Sequence, residues 1–428
     1  MSQPFFSITP ESETSPISII RHDLDFKTQI SNGLLNGPRS KDINNIHPYP
    51  AKMLQNIPAV ILPIFSKPGD KILDPFCGSG TVLLESMIKG RNAIGIDINP
   101  LAVLISKVKT TPLDTQKISI MEKKIIDGIK KKKQISIHDF PNRNYWFTPA
   151  SQKQLASLLS EIKKIDEEEY RNFFLVCISS CVRYASRADP EIIPPVISKK
   201  MKEIQKNRRT NVLKKFRSTV QANIRRVTKI SAHNSTASVQ VQLGNSRNIP
   251  LADDSINLVI TSPPYISAQK YPRSLKLEMF WTELINNEQY GELERNTIGT
   301  ERVSMLEKDK DTDTKIIILK KFLDQIKEKN IERYIITRKY FLEMQESINE
   351  IHRVLLPGGH FVLLIGENTV CGIKAPTAKI LSEYCKEKGL EQISEIEDQI
   401  QTFGFMTRRN KTAGIIDKEI ILIFKKRM

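Results

Sequence analysis

The chain has 428 residues, 39% hydrophobic and 26% charged, which supplies at least one full-sized core and fits two or three structural units. Its 65 Lys and Arg outweigh 48 Asp and Glu to a net charge of +17, a balance that favours a polyanionic partner through phosphate contacts and counterion release. No apolar run approaches the roughly 20 residues that span a bilayer. Met1 to Phe6 has no basic start before an apolar stretch, so a secretory leader and a membrane partner are both excluded from the expectation. Five scattered cysteines (Cys77, Cys177, Cys181, Cys371, Cys385) read as reduced thiols and give a cytoplasmic expectation.

Residues 1–45, rich in Ser, Pro, Thr and Asn, read as an irregular arm. Pro58 to Phe65 is a helix-like apolar run, and Lys67-Pro68-Gly69-Asp70 forms a turn. Lys71 to Leu73 is a short buried strand stopping at Asp74-Pro75. Thr81 to Lys89 is a helix closed by Gly90, and Asn92 to Ile96 is a second strand that ends at Asp97. Strand, glycine-rich turn, helix, strand opens a doubly wound α/β sheet. Residues 113–237 are then helical and lysine-rich, with Cys177 and Cys181 four apart on one apolar helical face, where packing is favoured over metal binding. Strands return at Ser238 to Leu243 and Ser255 to Ile260. A second charged helical stretch covers 284–335. Glu343 to Leu355 is a helix closed by Pro357-Gly358-Gly359, followed by strands His360 to Ile365 and Lys418 to Phe424. The expected architecture is one catalytic α/β domain built from 46–112, 238–283 and 336–428, with helical insertions at 113–237 and 284–335.

Asp74-Pro75-Phe76-Cys77-Gly78-Ser79-Gly80 follows a strand and opens a helix. Gly78 and Gly80 remove side chains where a ligand meets backbone, and the helix start offers free N–H groups. Asp97 lies 23 residues beyond Asp74, the spacing at which a carboxylate reaches a ribose in nucleotide-binding α/β folds. There is no third glycine of a dinucleotide fingerprint and no Gly-Lys-Ser/Thr, so neither NAD nor ATP is the natural ligand. Farther on, the strand Asn257 to Ile260 runs into Thr261-Ser262-Pro263-Pro264-Tyr265. The two prolines stiffen that loop and free its carbonyls. A hydroxyl plus a carbonyl can accept both hydrogens of an exocyclic base amine, and Tyr265 offers a stacking face.

Asp74 to Thr81 resembles the S-adenosylmethionine motif of amino-methylating DNA methyltransferases, Asp-Pro-Phe-x-Gly-Ser-Gly-Thr. His47-Pro48-Tyr49-Pro50-Ala51-Lys52 is similar to the family's segment that completes the methionine end of the cofactor pocket. The resemblance implies a Rossmann-like methyltransferase sheet and S-adenosylmethionine as cofactor, bound by Tyr49, Lys52, Asp74, Phe76, Gly78, Gly80, Thr81, Asp97 and Asn245. Asn245 stands where the family often has Asp. Ser262, Pro263, Pro264 and Tyr265 match the catalytic loop, and Ser at its first position resembles the N4-cytosine branch, whereas Asp is usual for N6-adenine. Tyr271 to Trp281 and Arg408 to Lys411 continue the likeness. The implied activity is methyl transfer to N4 of a cytosine flipped from duplex DNA, within a restriction-modification system whose cognate endonuclease would be a partner. Alternatives are an N6-adenine DNA enzyme, a guanine-N2 RNA enzyme (usually Asp-Pro-Pro-Tyr with an N-terminal RNA-binding module), and a non-catalytic DNA-binding protein, which the paired motifs oppose.

Lys199 to Lys229 holds twelve Lys and Arg against one acidic residue, Glu203. Arg208, Arg209, Lys214, Lys215, Arg217, Arg225 and Arg226 are therefore the expected DNA phosphate contacts, and the surrounding insertion is the candidate target-recognition region.

Overall fold

The computed structural model describes residues 43–131, 134–204, 210–233, 235–266, 271–302, 315–399 and 418–428. A seven-stranded sheet forms the centre, with strand order β3-β2-β1-β4-β5-β9-β8. The strands are β1 (Lys71–Asp74), β2 (Asn92–Asp97), β3 (Val239–Leu243), β4 (Ile256–Thr261), β5 (Leu355–Gly366), β8 (Leu390–Gln399) and β9 (Lys418–Lys426). A small hairpin, β6 (Thr369–Val370) and β7 (Ile373–Lys374), stands apart. The first five strands pair in parallel; β9 runs antiparallel to both β5 and β8. Parallel strands covered on both faces read as continuous apolar runs, and Ile256 to Thr261 is one, with every position but Asn257 buried.

The chain winds outward through β1, β2 and β3, then returns to place β4 on the other side of β1. Strand order reverses there, and the crevice beyond the carboxyl ends of β1 and β4 is where open α/β sheets bind ligands. One face is covered by α1 (Asn56–Phe65), α2 (Thr81–Ile88) and α3 (Pro100–Lys109). Ile57, Ile61 and Leu62 of α1 meet Ile72, Leu258, Ile260 and Val362. The first insertion supplies α4 (Thr115–Lys131), α5 (Pro149–Ile162), α6 (Glu168–Ala185) and α7 (Val212–Ser231). They share one core with Leu101, Leu104, Ile105 and Val108 of α3 and with Phe280 and Trp281 beyond β4. Phe140 stacks on Phe280 at 5.4 Å and Phe147 meets Trp281 edge-on at 5.3 Å. Cys177 and Cys181 are buried free thiols in this core.

Helices α8 (Ile317–Lys329), α9 (Ile331–Val354) and α10 (Thr377–Glu387) cover the opposite face. Helix α9 starts twelve residues earlier than the periodicity from Glu343 indicates, because buried polar side chains such as Thr337 and Arg338 break its apolar stripe. Pro357-Gly358-Gly359 forms not a plain turn but an irregularity within β5: pairing with β4 jumps from Ile256–Leu355 to Leu258–His360. Helix α10 and strand β8 have no counterpart in the sequence reading. The ladder of β8 shifts register between Gln392 and Ser394, so its apolar residues lose the two-residue period. Among the described residues no helix is long and apolar enough to cross a membrane. Arg208 and Arg209, and Arg408 to Lys411, lie outside the described residues.

Candidate active site

The glycine turn is built by backbone geometry that only glycine adopts easily. Gly78 and Gly80 have φ of +50° and +75°, and Gly80 caps α2 in the left-handed conformation. A Cβ on Gly80 would stand 2.8 Å from Ser106 Oγ and 3.1 Å from its Cα, so α3 packs flush against the turn. The Ser106 hydroxyl in turn donates to the Gly78 carbonyl at 2.8 Å. A Cβ on Gly78 would lie 3.4 Å from the Tyr49 ring, which places Tyr49 directly over the turn. The residues predicted from two separate motifs thus form one cradle that a side chain would fill.

Asp97, at the tip of β2, accepts the Gly78 N–H on Oδ2 and the Asn99 N–H on Oδ1, each at 2.8 Å. Burial pushes its pKa from 3.8 up to about 6, while both N–H bonds favour the charged form. Asp74 is buried at the tip of β1, where its Oδ1 accepts the Thr261 hydroxyl at 2.6 Å and the Phe76 N–H at 3.1 Å. Burial raises Asp74 to about 7; these two bonds pull it down and the charge of Asp97 adds upward pressure. Thr261 is the last residue of β4, so this one bond locks the glycine turn to the Ser262-Pro263-Pro264-Tyr265 loop. Asp74 orders the turn from beneath. Phe76 and Tyr265, both partly exposed, pack on the same core below the crevice. Thr81 is buried in the first turn of α2.

Lys52 is engaged within its own loop. Its ammonium bonds the Asn44 carbonyl at 3.2 Å, Asn45 Oδ1 at 3.0 Å and the His47 carbonyl at 3.3 Å. An ammonium has three hydrogens, and these three acceptors occupy them. Lys52 closes the 44–52 loop that carries Tyr49. Asn245 is likewise engaged: its Oδ1 accepts from the Arg247 backbone N–H at 3.1 Å and from Arg247 Nε at 3.2 Å. Arg247 is anchored in turn on Glu343 at 2.7 Å.

At the catalytic loop, Ser262 Oγ lies 3.3 Å from Tyr265 Oη, and Tyr265 donates to Glu419 Oε1 at 2.7 Å. Burial drives the Tyr265 phenol well upward, and Glu419 adds to it, so the hydroxyl keeps its proton. Asn368 Nδ2 donates to the Ile266 carbonyl at 2.9 Å and holds the chain just past the loop. Sequence reasoning found neither Glu419 nor Asn368. Both are ordinary polar residues with no motif around them; strand pairing brings Glu419 to the site, and the segment that follows β5 brings Asn368.

The basic segment divides by helical face. Phe216, Val220, Asn223, Val227 and Ile230 of α7 are buried, and Phe216 packs 6.3 Å from Phe174. Lys214, Arg217 and Arg225 are exposed along the other face, with Arg217 Nε 3.4 Å from Glu122. Lys215 is half-buried beside Cys181. Arg226 turns inward, bonding Asn223 Oδ1 at 2.7 Å and facing Lys52, whose pKa burial and Arg226 lower to about 8. Asn223 also donates to the Ile46 carbonyl at 3.1 Å, so α7 abuts the segment that carries Tyr49 over the turn.

Residues 24–108 match a family model described as DNA methylase, whose name covers both N6 and N4 amino methylation. Type II methyltransferase M.MvaI of Kocuria varians is 25% identical over 441 aligned residues, spanning 92% of this chain and 93% of the relative. Type II methyltransferase M.MjaII of Methanocaldococcus jannaschii is 41% identical over 98 residues, 23% of this chain and 18% of the relative. Among solved structures, a SAM-dependent methyltransferase of Methanosarcina mazei overlays with a TM-score of 0.32 at 11% identity, covering 86% of this chain and 97% of that one. The strand order, not that overlay, carries the fold assignment. The chain is similar along nearly its whole length to a type II methyltransferase and over residues 24–108 to the DNA methylase family, and S-adenosylmethionine is its cofactor.

Proposed function

We propose that the chain methylates N4 of a cytosine flipped out of duplex DNA, as the modification enzyme of a restriction-modification pair. The observation that carries this reading is the Thr261–Asp74 bond, which sets Ser262-Pro263-Pro264-Tyr265 beside the glycine cradle. The Gly78–Gly80 turn, Tyr49, Phe76 and Asp97 would hold the cofactor, with Asp97 taking the ribose. When bound, S-adenosylmethionine supplies a methyl group already activated on a sulfonium. The residues of this chain then have to align an amine. Ser262 Oγ and the carbonyl of the rigid Pro-Pro segment accept its two hydrogens, and the nitrogen lone pair turns out of ring conjugation. Tyr265 stacks on the extruded base, whose removal from the duplex costs a few kcal/mol. Proximity and orientation provide most of the acceleration, and no strong base is required before attack.

Cytosine is favoured by Ser262, the feature that resembles the N4 branch. DNA phosphates are proposed to meet the exposed α7 row of Lys214, Arg217 and Arg225, with Lys215 beside it. Arg208 and Arg209 extend the same basic segment in sequence. Incubation with labelled S-adenosylmethionine and mixed-sequence duplex DNA, followed by nucleoside analysis, tests the reading. N4-methylcytosine is expected. N6-methyladenine would assign the chain to the adenine branch, and label in RNA alone would overturn the DNA substrate.

A further inference from the structure

A residue that no motif contains is hydrogen-bonded to the Ser262-Pro263-Pro264-Tyr265 loop. Glu419 lies on β9 opposite Gly366, at the carboxyl end of β5, on the same edge of the sheet as Ser262. Its Oε1 accepts the Tyr265 hydroxyl at 2.7 Å, and Tyr265 Oη stands 3.3 Å from Ser262 Oγ. An ionised carboxylate has no hydrogen to give, and a phenol has one. The Tyr265 hydrogen is therefore committed to Glu419, and towards Ser262 the phenol oxygen can only accept. In the contact between the two hydroxyls Ser262 is then the donor, and with its hydrogen directed at Tyr265 the lone pairs of Ser262 Oγ face the crevice.

We propose that Glu419 is a positioning residue that fixes this polarity through Tyr265, making the Ser262 hydroxyl a dedicated acceptor for an N–H of the target base. The inference rests on the proposed methylation of a base amine and deepens it. A freely rotating serine hydroxyl could equally donate to a ring nitrogen or a carbonyl oxygen, so a base could settle with the wrong edge towards the methyl donor. With the hydroxyl locked, a base acceptor placed there finds no donor and pays for its lost hydration, whereas an amine is satisfied. A phenol bond to an ionised carboxylate is charge-assisted and of the stronger kind, which suits a bond whose task is orientation. Burial raises the Glu419 pKa, and the Tyr265 bond opposes that rise by favouring the carboxylate.

The test is a double-mutant cycle on the full chain, measuring single-turnover methyl transfer to duplex DNA together with KM for DNA, cofactor affinity and thermal stability. Tyr265→Phe keeps the aromatic face and removes the hydroxyl; Glu419→Ala removes the acceptor. Each is expected to lower the transfer rate about tenfold or more, with cofactor affinity and KM within about threefold. Because Glu419 acts only through the phenol, Tyr265→Phe/Glu419→Ala should be no slower than Tyr265→Phe alone. Glu419→Gln, whose carbonyl can accept the same bond, should retain more activity than Glu419→Ala, and Glu419→Met, which fills the space without an acceptor, replaces Ala in the cycle if that variant fails to fold. Additive losses, or a Glu419→Ala rate within twofold of the parent, overturn the inference while leaving base methylation standing. A parent that methylates no base amine overturns both.

Discussion

Replacing Thr261 with valine removes one hydroxyl at a fully buried position and keeps the side-chain shape. The lost bond is the 2.6 Å contact to Asp74 Oδ1, after which that oxygen retains only the Phe76 N–H at 3.1 Å. A hydrogen bond to a charged group is worth roughly 1.5–3 kcal/mol, and one between neutral groups about 1 kcal/mol. Which value applies depends on the protonation of Asp74, which burial raises to about 7. A carboxyl pKa raised above its unfolded value means that the folded state holds the proton more tightly. Its stabilising contribution is complete below about pH 4, declines as pH rises through 7, and is flat above. Thr261→Val removes a downward influence, so the decline extends to higher pH than in the parent. The expected destabilisation is therefore about 1 kcal/mol at pH 6 and about 2–3 kcal/mol at pH 9. Urea unfolding at the two pH values, with an unchanged slope, measures it. Equal losses at both, or less than about 0.5 kcal/mol at pH 9, would show that the two motifs are not coupled through this bond.

Three further outcomes are expected. Gly80→Ala places a methyl group against Ser106 in a left-handed backbone, and should cost about 2–4 kcal/mol of stability and at least tenfold in S-adenosylmethionine affinity; a melting temperature and affinity equal to the parent's would refute the cradle. Trp281→Ala empties the centre of the aromatic cluster around Phe140, Phe147 and Phe280, and should lower unfolding free energy by about 3–5 kcal/mol. Changing Lys214, Arg217 and Arg225 together to Ala should lower the log–log salt slope of DNA binding by up to about 2.7, at about 0.9 per phosphate contact, without altering cofactor affinity. An unchanged slope would move the DNA interface off this face of α7.

Much of the site could be read from local sequence because its demands are local. Gly78 and Gly80 mark a turn that needs positive φ, Asp74 and Asp97 mark the tips of two adjacent parallel strands, and Pro263-Pro264 mark a stiff exit from a third. Those features need only a few neighbouring residues, and the apolar runs Lys71 to Leu73 and Asn257 to Ile260 are long enough to declare buried strands. Glu419 and Asn368 carry no such signature. The first reaches Tyr265 across 154 positions and the second reaches Ile266 across 102. Helical periodicity does not say which basic residues of α7 face inward until α4, α5 and α6 are packed against it, and that packing turns Arg226 toward Asn223 and Lys52.

The sequence by itself thus determined the local elements: a glycine turn, a stiff Pro-Pro loop and the strands that end in them, all short-range consequences of backbone restriction. Only the tertiary structure decided how the two halves meet, through Thr261 and Asp74, and which carboxylate stands behind Tyr265. Those depend on parallel pairing of β1 with β4 and on the antiparallel return of β9, contacts between residues far apart in the chain that no local pattern encodes.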